Sequence, residues 1–220
     1  MGIERFVYKP RTKKVVLASL RGKYPSVNYD EDDDVRIYIL RCPFEYKSFI
    51  KSLEPTTVIL QFNTFREMSQ LLNVLDCHVI VLIDPNSVKE ITAKSTITLQ
   101  LIRYLCQKYN CDLIAKEFDS SDVRTLVDLD IPIKPTYEET DDIVLSIPKS
   151  WDSWGKIVLH GKSVALPEDE LTGVIRSEET LQQLDENSLD EYLELYTSPG
   201  VEPGAKVPQT LHEFVKEVFE

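Results

Sequence analysis

The chain has 220 residues, of which 42% are hydrophobic and 28% are charged, and its net charge is −12. This composition is ordinary for a soluble globular protein, and the length suits one domain or one domain with an extension. The acidic balance argues against a nucleic-acid partner, which would need a basic face, and no apolar run approaches the roughly 20 residues of a membrane span.

The four cysteines, Cys42, Cys77, Cys106 and Cys111, are irregularly spaced and form no Cys-x-x-Cys pair. Neither a zinc site nor a redox motif is therefore predicted, and free thiols in a reducing compartment are expected. The first residues, Met1–Arg11, are mixed and charged, unlike a secretory signal. We expect a cytoplasmic protein without a structural metal.

Strands and helices alternate along the first 160 residues. Apolar, β-branched runs predict strands at Lys14–Ser19, Val35–Leu40, Thr57–Asn63, Cys77–Ile83 and Asp112–Lys116. Helices are predicted between and after them, at Phe44–Leu53, Phe65–Leu75, Thr98–Tyr109 and Ser121–Asp128. Arg21–Asp34, with its acidic run, is predicted to be a loop. This alternation predicts an α/β domain over 1–160, with a mostly parallel sheet and helices on both faces.

The sheet is expected to end in two short strands after the loop Pro132–Asp142. Ile143–Ile147 and Lys156–Leu159 are apolar runs separated by a turn, so they are predicted to pair as an edge hairpin.

The acidity of the chain belongs to its C-terminal part. Residues 161–220 hold four Lys/Arg and fourteen Asp/Glu, which gives −10 of the total −12. We predict an acidic helical extension over 161–197, in which Ser188 and Glu191 fit a capping box ahead of an apolar stripe. The stripe consists of Leu189, Tyr192, Leu193 and Tyr196. The extension is either a solvated helical surface or a face for a basic partner.

A short amphipathic helix is predicted at the C-terminus, over 210–220, after a Gly- and Pro-rich linker at 198–209. Thr210 and Glu213 form a capping box. The apolar residues follow at positions i, i+3, i+4, i+7 and i+8: Leu211, Phe214, Val215, Val218 and Phe219. Such a helix either docks on its own domain or is offered to a groove on a partner.

The loops that would bind a nucleotide lack the required residues. A phosphate loop needs glycines after the first strand and then Lys-Ser/Thr, whereas Leu20–Pro25 offers only a Gly-Lys pair. An Asp-x-x-Gly switch is absent after the second strand, and Asp84–Ser87 lacks the Asn-Lys-x-Asp pattern that reads guanine. Motifs of serine hydrolases and zinc proteases are absent too. We therefore predict no cofactor and no enzymatic activity.

The stretch Ile147–His160 (IPKSWDSWGKIVLH) resembles a signature of dynein light intermediate chains. In that family a strand ends in Ile-Pro, Trp-Asp follows, and a Lys-Ile strand ends in Leu-His. A weaker collinear similarity covers roughly Lys14–Ile175. Typical animal members keep a phosphate loop, whereas members from fungi lack the nucleotide motifs, as this chain does.

The resemblance implies a GTPase-like (Ras-like) domain in a non-catalytic subunit of cytoplasmic dynein. Such a subunit binds the dynein heavy chain and cargo adaptor proteins, and it is cytoplasmic and cytoskeleton-associated. Candidate partner-binding residues are Trp151, Asp152 and Trp154, together with the apolar stripe of the C-terminal helix. Trp151 is either a core residue at a strand end or an interface anchor, and Trp154 is predicted to be exposed. The alternatives are another pseudo-GTPase scaffold, in a kinetochore or in trafficking, and a divergent nucleotide-binding GTPase.

Overall fold

In the part of the chain that the structure describes, seven strands form one sheet. The computed structural model describes residues 13–18, 27–31, 35–41, 43–89, 92–115, 135, 145–163 and 178–197. The strands are β1 (Lys13–Ala18), β2 (Val27–Glu31), β3 (Val35–Leu40), β4 (Thr57–Gln61), β5 (His78–Ile83), β6 (Asp112–Ala115) and β7 (Leu145–Ile147).

The strand order is β2-β3-β1-β4-β5-β6-β7. Strands β3, β1, β4, β5 and β6 run parallel, whereas β2 and β7 pair antiparallel at the two edges. An α/β fold with a mostly parallel sheet and flanking helices is thereby confirmed.

Seven α-helices accompany the strands in the described part of the chain. They are α1 (Lys47–Leu53), α2 (Phe65–Leu72), α3 (Asn86–Lys89), α4 (Ala93–Lys108), α5 (Trp154–Ser163), α6 (Glu178–Gln183) and α7 (Leu189–Thr197). Two 3-10 turns, Pro43–Tyr46 and Glu186–Ser188, precede α1 and α7. Helix α4 begins with a capping box of Thr92 and Ser95, which satisfies two terminal N–H groups.

Helices α1, α2 and α4 connect parallel strands that follow one another in the same direction across the sheet. Because such crossovers are right-handed, the three helices lie on the same face. Strand β5 is buried on both faces, since Val79 and Val81 belong to the core cluster while Ile80 and Leu82 on the other face are buried too. A continuous apolar run, as in this strand, is typical of a strand that is covered on both faces of the sheet.

Two predictions about secondary structure are wrong. Lys156–Leu159 is not a strand but part of α5, so no edge hairpin forms and β7 pairs with β6 instead. Ile157 is fully buried and its N–H donates to Ser153 O, so packing overrides the β-propensity of this run. The predicted loop Arg21–Asp34 contains β2, because an edge strand can form from polar residues once β3 offers a partner.

The acidic extension, where it is described, packs against α2 and α4. Leu189 and Leu193 are buried and Tyr192 is partly buried, which confirms this part of the predicted stripe. The capping box of Ser188 and Glu191 is replaced by the 3-10 turn, whose cap is Asp185, accepting from Asn187 N at 3.1 Å. Residues 161–163 belong to α5, and the predicted linker 198–209 and helix 210–220 lie outside the described residues.

Candidate interaction site

The Trp–Asp turn, which we define as residues 148–154, follows β7 at the amino-terminal edge of the parallel strands. Ile147 pairs with Leu113 near the start of β6, and Lys149 N donates to Asp112 Oδ1 at 2.6 Å. Ligands of open α/β sheets bind beyond the carboxyl ends of the strands. The turn therefore lies at the edge opposite to the usual ligand crevice.

Asp152 is bound inside the fold by Arg103 of α4. Arg103 Nε donates to Asp152 Oδ2 at 2.8 Å and Nη2 donates to Oδ1 at 2.7 Å, a bidentate pair. The two side chains are only 1% and 4% exposed. Removing one partner of such a pair leaves an uncompensated buried charge. Asp152 is thus committed to fixing the turn on α4 and is not accessible to a partner.

The two tryptophans of the turn, Trp151 and Trp154, are both partly buried against the core. Lys156 Nζ lies 3.9 Å from the centre of the Trp151 ring and donates to Trp151 O at 2.6 Å. The Trp154 ring meets Tyr104 edge to face, with ring centres 6.4 Å apart. The prediction that Trp154 is exposed is wrong, because α5 turns this side chain onto α4.

Two residues with a left-handed backbone conformation are hydrogen-bonded to each other at the turn. Ser150 has φ 63° and Asn110 has φ 54°, and Ser150 Oγ lies 2.6 Å from Asn110 Oδ1, to which it donates. This conformation is unusual for a serine, so the hydrogen bond helps to hold it.

The carboxylate of Asp112 connects this edge to β5. His78 Nε2 lies 2.5 Å from Asp112 Oδ2. Burial raises the pKa of Asp112, but the hydrogen bonds from His78 and from the Lys149 N–H outweigh it, and the pKa is lowered overall. Asp112 is therefore a structural anion that ties β5, β6 and the turn together.

A second polar cluster surrounds Glu186, at the start of the 3-10 turn before α7. Its carboxylate accepts hydrogen bonds from Ser69 Oγ at 2.7 Å, from Tyr109 OH at 2.7 Å and from Lys108 Nζ. Burial raises the pKa of Glu186, but these donors outweigh it and the pKa is lowered. The hydrogen bond between Lys108 and Glu186 in turn raises the pKa of Lys108. Glu186 joins the extension to α2 and to the C-terminus of α4.

Asp190, in the first turn of α7, accepts hydrogen bonds from the N-terminus of α2. Its two carboxylate oxygens accept from Phe65 N and Arg66 N, each at 2.9 Å, while Thr64 Oγ1 accepts from Glu67 N at 3.3 Å. Met68 N donates to Thr64 O. The N–H groups of Phe65, Arg66 and Glu67, which a helix start leaves without intrahelical acceptors, thus all have side-chain acceptors, and an anion at this end is favourable.

The described cysteines are thiols of low reactivity. Burial raises the pKa of Cys77 to about 11 and that of Cys111 to about 12, and it raises that of Cys106 well above its usual value. These thiols stay protonated at neutral pH, so they are poor nucleophiles. Among the described residues no group of three His, Cys, Asp or Glu could hold a metal ion. In the same part of the chain, no helix combines the length and the apolar character needed to cross a bilayer.

The structure brings together three of the predicted partner-binding residues, Trp151, Asp152 and Trp154, and gives each an internal contact. The other predicted residues, Leu211, Phe214, Val215, Val218 and Phe219, lie outside the described residues.

Sequence reasoning missed the cations and carboxylates that bind these segments to α4. Arg103 could have been found, because a charged residue beside Ile102 and Leu105 on the apolar side of a helix needs a buried carboxylate. Nothing local marks Glu186 or Asp190 among the other acidic residues of the extension. In comparisons with known proteins, no family model matches the chain and no curated protein matches it either.

Proposed function

We propose that the chain is a non-catalytic, Ras-like subunit of cytoplasmic dynein that binds the heavy chain and links the motor to cargo adaptors. The observation that carries this proposal is the Trp–Asp turn, whose sequence resembles that of dynein light intermediate chains. Its two tryptophans and its aspartate all have defined contacts in the fold. In this role the turn is a rigid element that positions α5 on α4, and partners bind elsewhere on the surface.

The topology is compatible with a Ras-like domain. The order β2-β3-β1-β4-β5-β6, with β2 antiparallel at the edge, is compatible with the Ras-like layout. Strand β7 extends it by one antiparallel strand.

The loop lengths at the carboxyl edge support a subunit without nucleotide. Ala18 and Val27 both pair with Leu40, so they lie in one row of the sheet, about 10 Å apart. Eight residues, 19–26, connect them. A phosphate loop would take up this whole connection, so no residues would remain for the helix whose N-terminus binds the phosphates.

In the loop after β5, polar groups form hydrogen bonds with one another. Asp84 Oδ1 accepts from Asn86 N at 2.9 Å, and Asp84 O accepts from Ser87 N at 3.0 Å. These polar groups start α3, where a GTPase would place the side chains that read guanine.

Two large apolar side chains are exposed in the described part of the chain, Phe49 at 39% and Val74 at 37%. Phe49 lies on α1 between Lys47 and Lys51, and its ring meets Tyr38 edge to face at 6.1 Å. Aromatic anchors dominate many interfaces. We therefore expect Phe49 to contribute to the heavy-chain contact.

The test is affinity purification of the tagged full chain from its native cytosol, followed by mass spectrometry. We expect dynein heavy chain at near-stoichiometric yield, and a several-fold lower yield with Phe49→Ser. Val74→Ser is the matched control, with similar exposure and an unchanged yield. Absence of the heavy chain would sink the proposal and turn the work to a different pseudo-GTPase scaffold or, if labelled GTP binds, to a divergent GTPase.

A further inference from the structure

The acidic segment, which we define as residues 178–197, fills a groove between α2 and α4. Among the side chains of the segment whose burial is described, the buried ones are leucines: Leu181, Leu189 and Leu193 are 3%, 2% and 8% exposed. The segment runs along α2, with Glu186 beside Ser69 and Asp190 at the helix N-terminus. It therefore lies in the groove as an amphipathic helical ligand would.

The polar contacts that Glu186 and Asp190 make with the groove have the same direction. The groove provides the donors, which are the Ser69 hydroxyl, the Lys108 ammonium, the Tyr109 hydroxyl and the first two N–H groups of α2. The segment provides two carboxylates, Glu186 and Asp190, in a Glu-x-x-x-Asp pattern. The groove and its occupant are thus complementary in charge.

These donors make the groove selective. Ser69 is 1% exposed, and a buried hydroxyl or N–H that loses its acceptor costs about 1–3 kcal/mol. An occupant without carboxylates at the two positions would leave the buried Ser69 hydroxyl without this acceptor, whereas Lys108 is 49% exposed and Tyr109 OH also lies 2.8 Å from Asn73 Oδ1. Selection of this kind depends on penalties against wrong ligands as much as on contacts with the right one.

We propose that the α2–α4 groove is a binding site for an acidic amphipathic helix of a partner protein, and that residues 178–197 occupy it as a competing internal ligand. The partner helix carries a Glu-x-x-x-Asp pattern with leucines on the same side. A tethered segment has an effective concentration of about millimolar, so it holds the groove closed against weak or poorly matched ligands. This inference does not depend on the proposed link to dynein.

The test uses the full chain and a fluorescein-labelled synthetic peptide of residues 178–197 as the probe. By fluorescence anisotropy, we expect Glu186→Ala/Asp190→Ala in the protein to bind the wild-type peptide at least tenfold more tightly than the wild-type protein does. Glu191→Ala is the matched control, since Glu191 is exposed on the same helix. It should bind the peptide as weakly as the wild-type protein.

The specificity of the groove is tested with two further changes. With the Glu186→Ala/Asp190→Ala protein, a peptide that itself carries these two changes should lose at least tenfold in affinity. Adding Lys108→Ala to the same protein should weaken binding of the wild-type peptide several-fold. Equal binding of the peptide by wild-type and double-variant proteins, or binding insensitive to the two carboxylates, would overturn the proposal. Dimerisation of the wild-type protein by exchange of its segment would also overturn it.

A measurement on the wild-type protein keeps the proposal testable if the double variant does not fold. With excess peptide, hydrogen exchange should accelerate several-fold in residues 178–197 of the protein while α2 stays protected. Unchanged exchange in this segment at saturating peptide would contradict the proposal.

Discussion

The Trp–Asp turn and the acidic segment are both bound to α4 through a carboxylate, but in different surroundings. Arg103 and Asp152 are 1% and 4% exposed, whereas Lys108 and Glu186 are 49% and 14% exposed. The first pair uses the planar fork of arginine in a dry site, and the second uses a lysine that water also reaches. We expect the buried pair to fix a permanent part of the fold, and the other to open and close without unfolding the domain.

The largest effect is expected from Asp152→Ala. The change leaves the Arg103 guanidinium buried without its acceptor, and breaking such a pair costs about 3–5 kcal/mol. Urea denaturation of the full chain measures the loss. Lys149→Ala is the control, because Lys149 has an exposed side chain in the same turn and keeps the N–H that binds Asp112. A loss below about 1 kcal/mol would mean that the pair contributes little.

A smaller and local effect is expected from Glu186→Ala. Ser69, Tyr109 and Lys108 lose a shared acceptor, and the mostly buried Ser69 hydroxyl makes this unfavourable by about 1–3 kcal/mol. We expect hydrogen exchange to rise in residues 178–197 while β4 and β5 stay protected. If exchange rose equally in the central strands, the segment would belong to the same cooperative unit as the sheet, and the contrast with the Trp–Asp turn would fail.

The comparison can also be sharpened with pH. The pKa of Glu186 is lowered from its ordinary 4.5, so its contribution to stability is complete above that value and is lost as the pH falls through the lower folded value. We expect the segment to stay docked from pH 7 to 5 and to loosen below 4.5. Glu186→Gln should reduce this acid sensitivity, as measured by exchange of residues 178–197, and Glu191→Gln should not.

Local patterns predicted the central strands well, because each is a short apolar run between polar turns. Cys77–Ile83, for example, was placed within one residue of β5. Lys156–Leu159 has a strand-like composition but forms part of a helix, in which Ile157 is fully buried. The hydrogen bonds between the acidic segment and α2 join residues that are far apart in the sequence. Glu186 and Ser69 are 117 positions apart, and Asp190 and Phe65 are 125 positions apart. No local pattern can contain such a pairing.

The smallest effect is expected at the rim of the Trp–Asp turn, with Lys156→Met. Lys156 Nζ stacks on the Trp151 ring and donates to Trp151 O. A partly exposed cation–π contact contributes about 0.5–1 kcal/mol, and methionine keeps the length and the apolar packing of the side chain. We expect a loss of about 1 kcal/mol in urea denaturation and a changed fluorescence of Trp151. A loss as large as that of Asp152→Ala would show that the rim stabilises the turn as much as the buried pair does, and the turn would then be held from its surface.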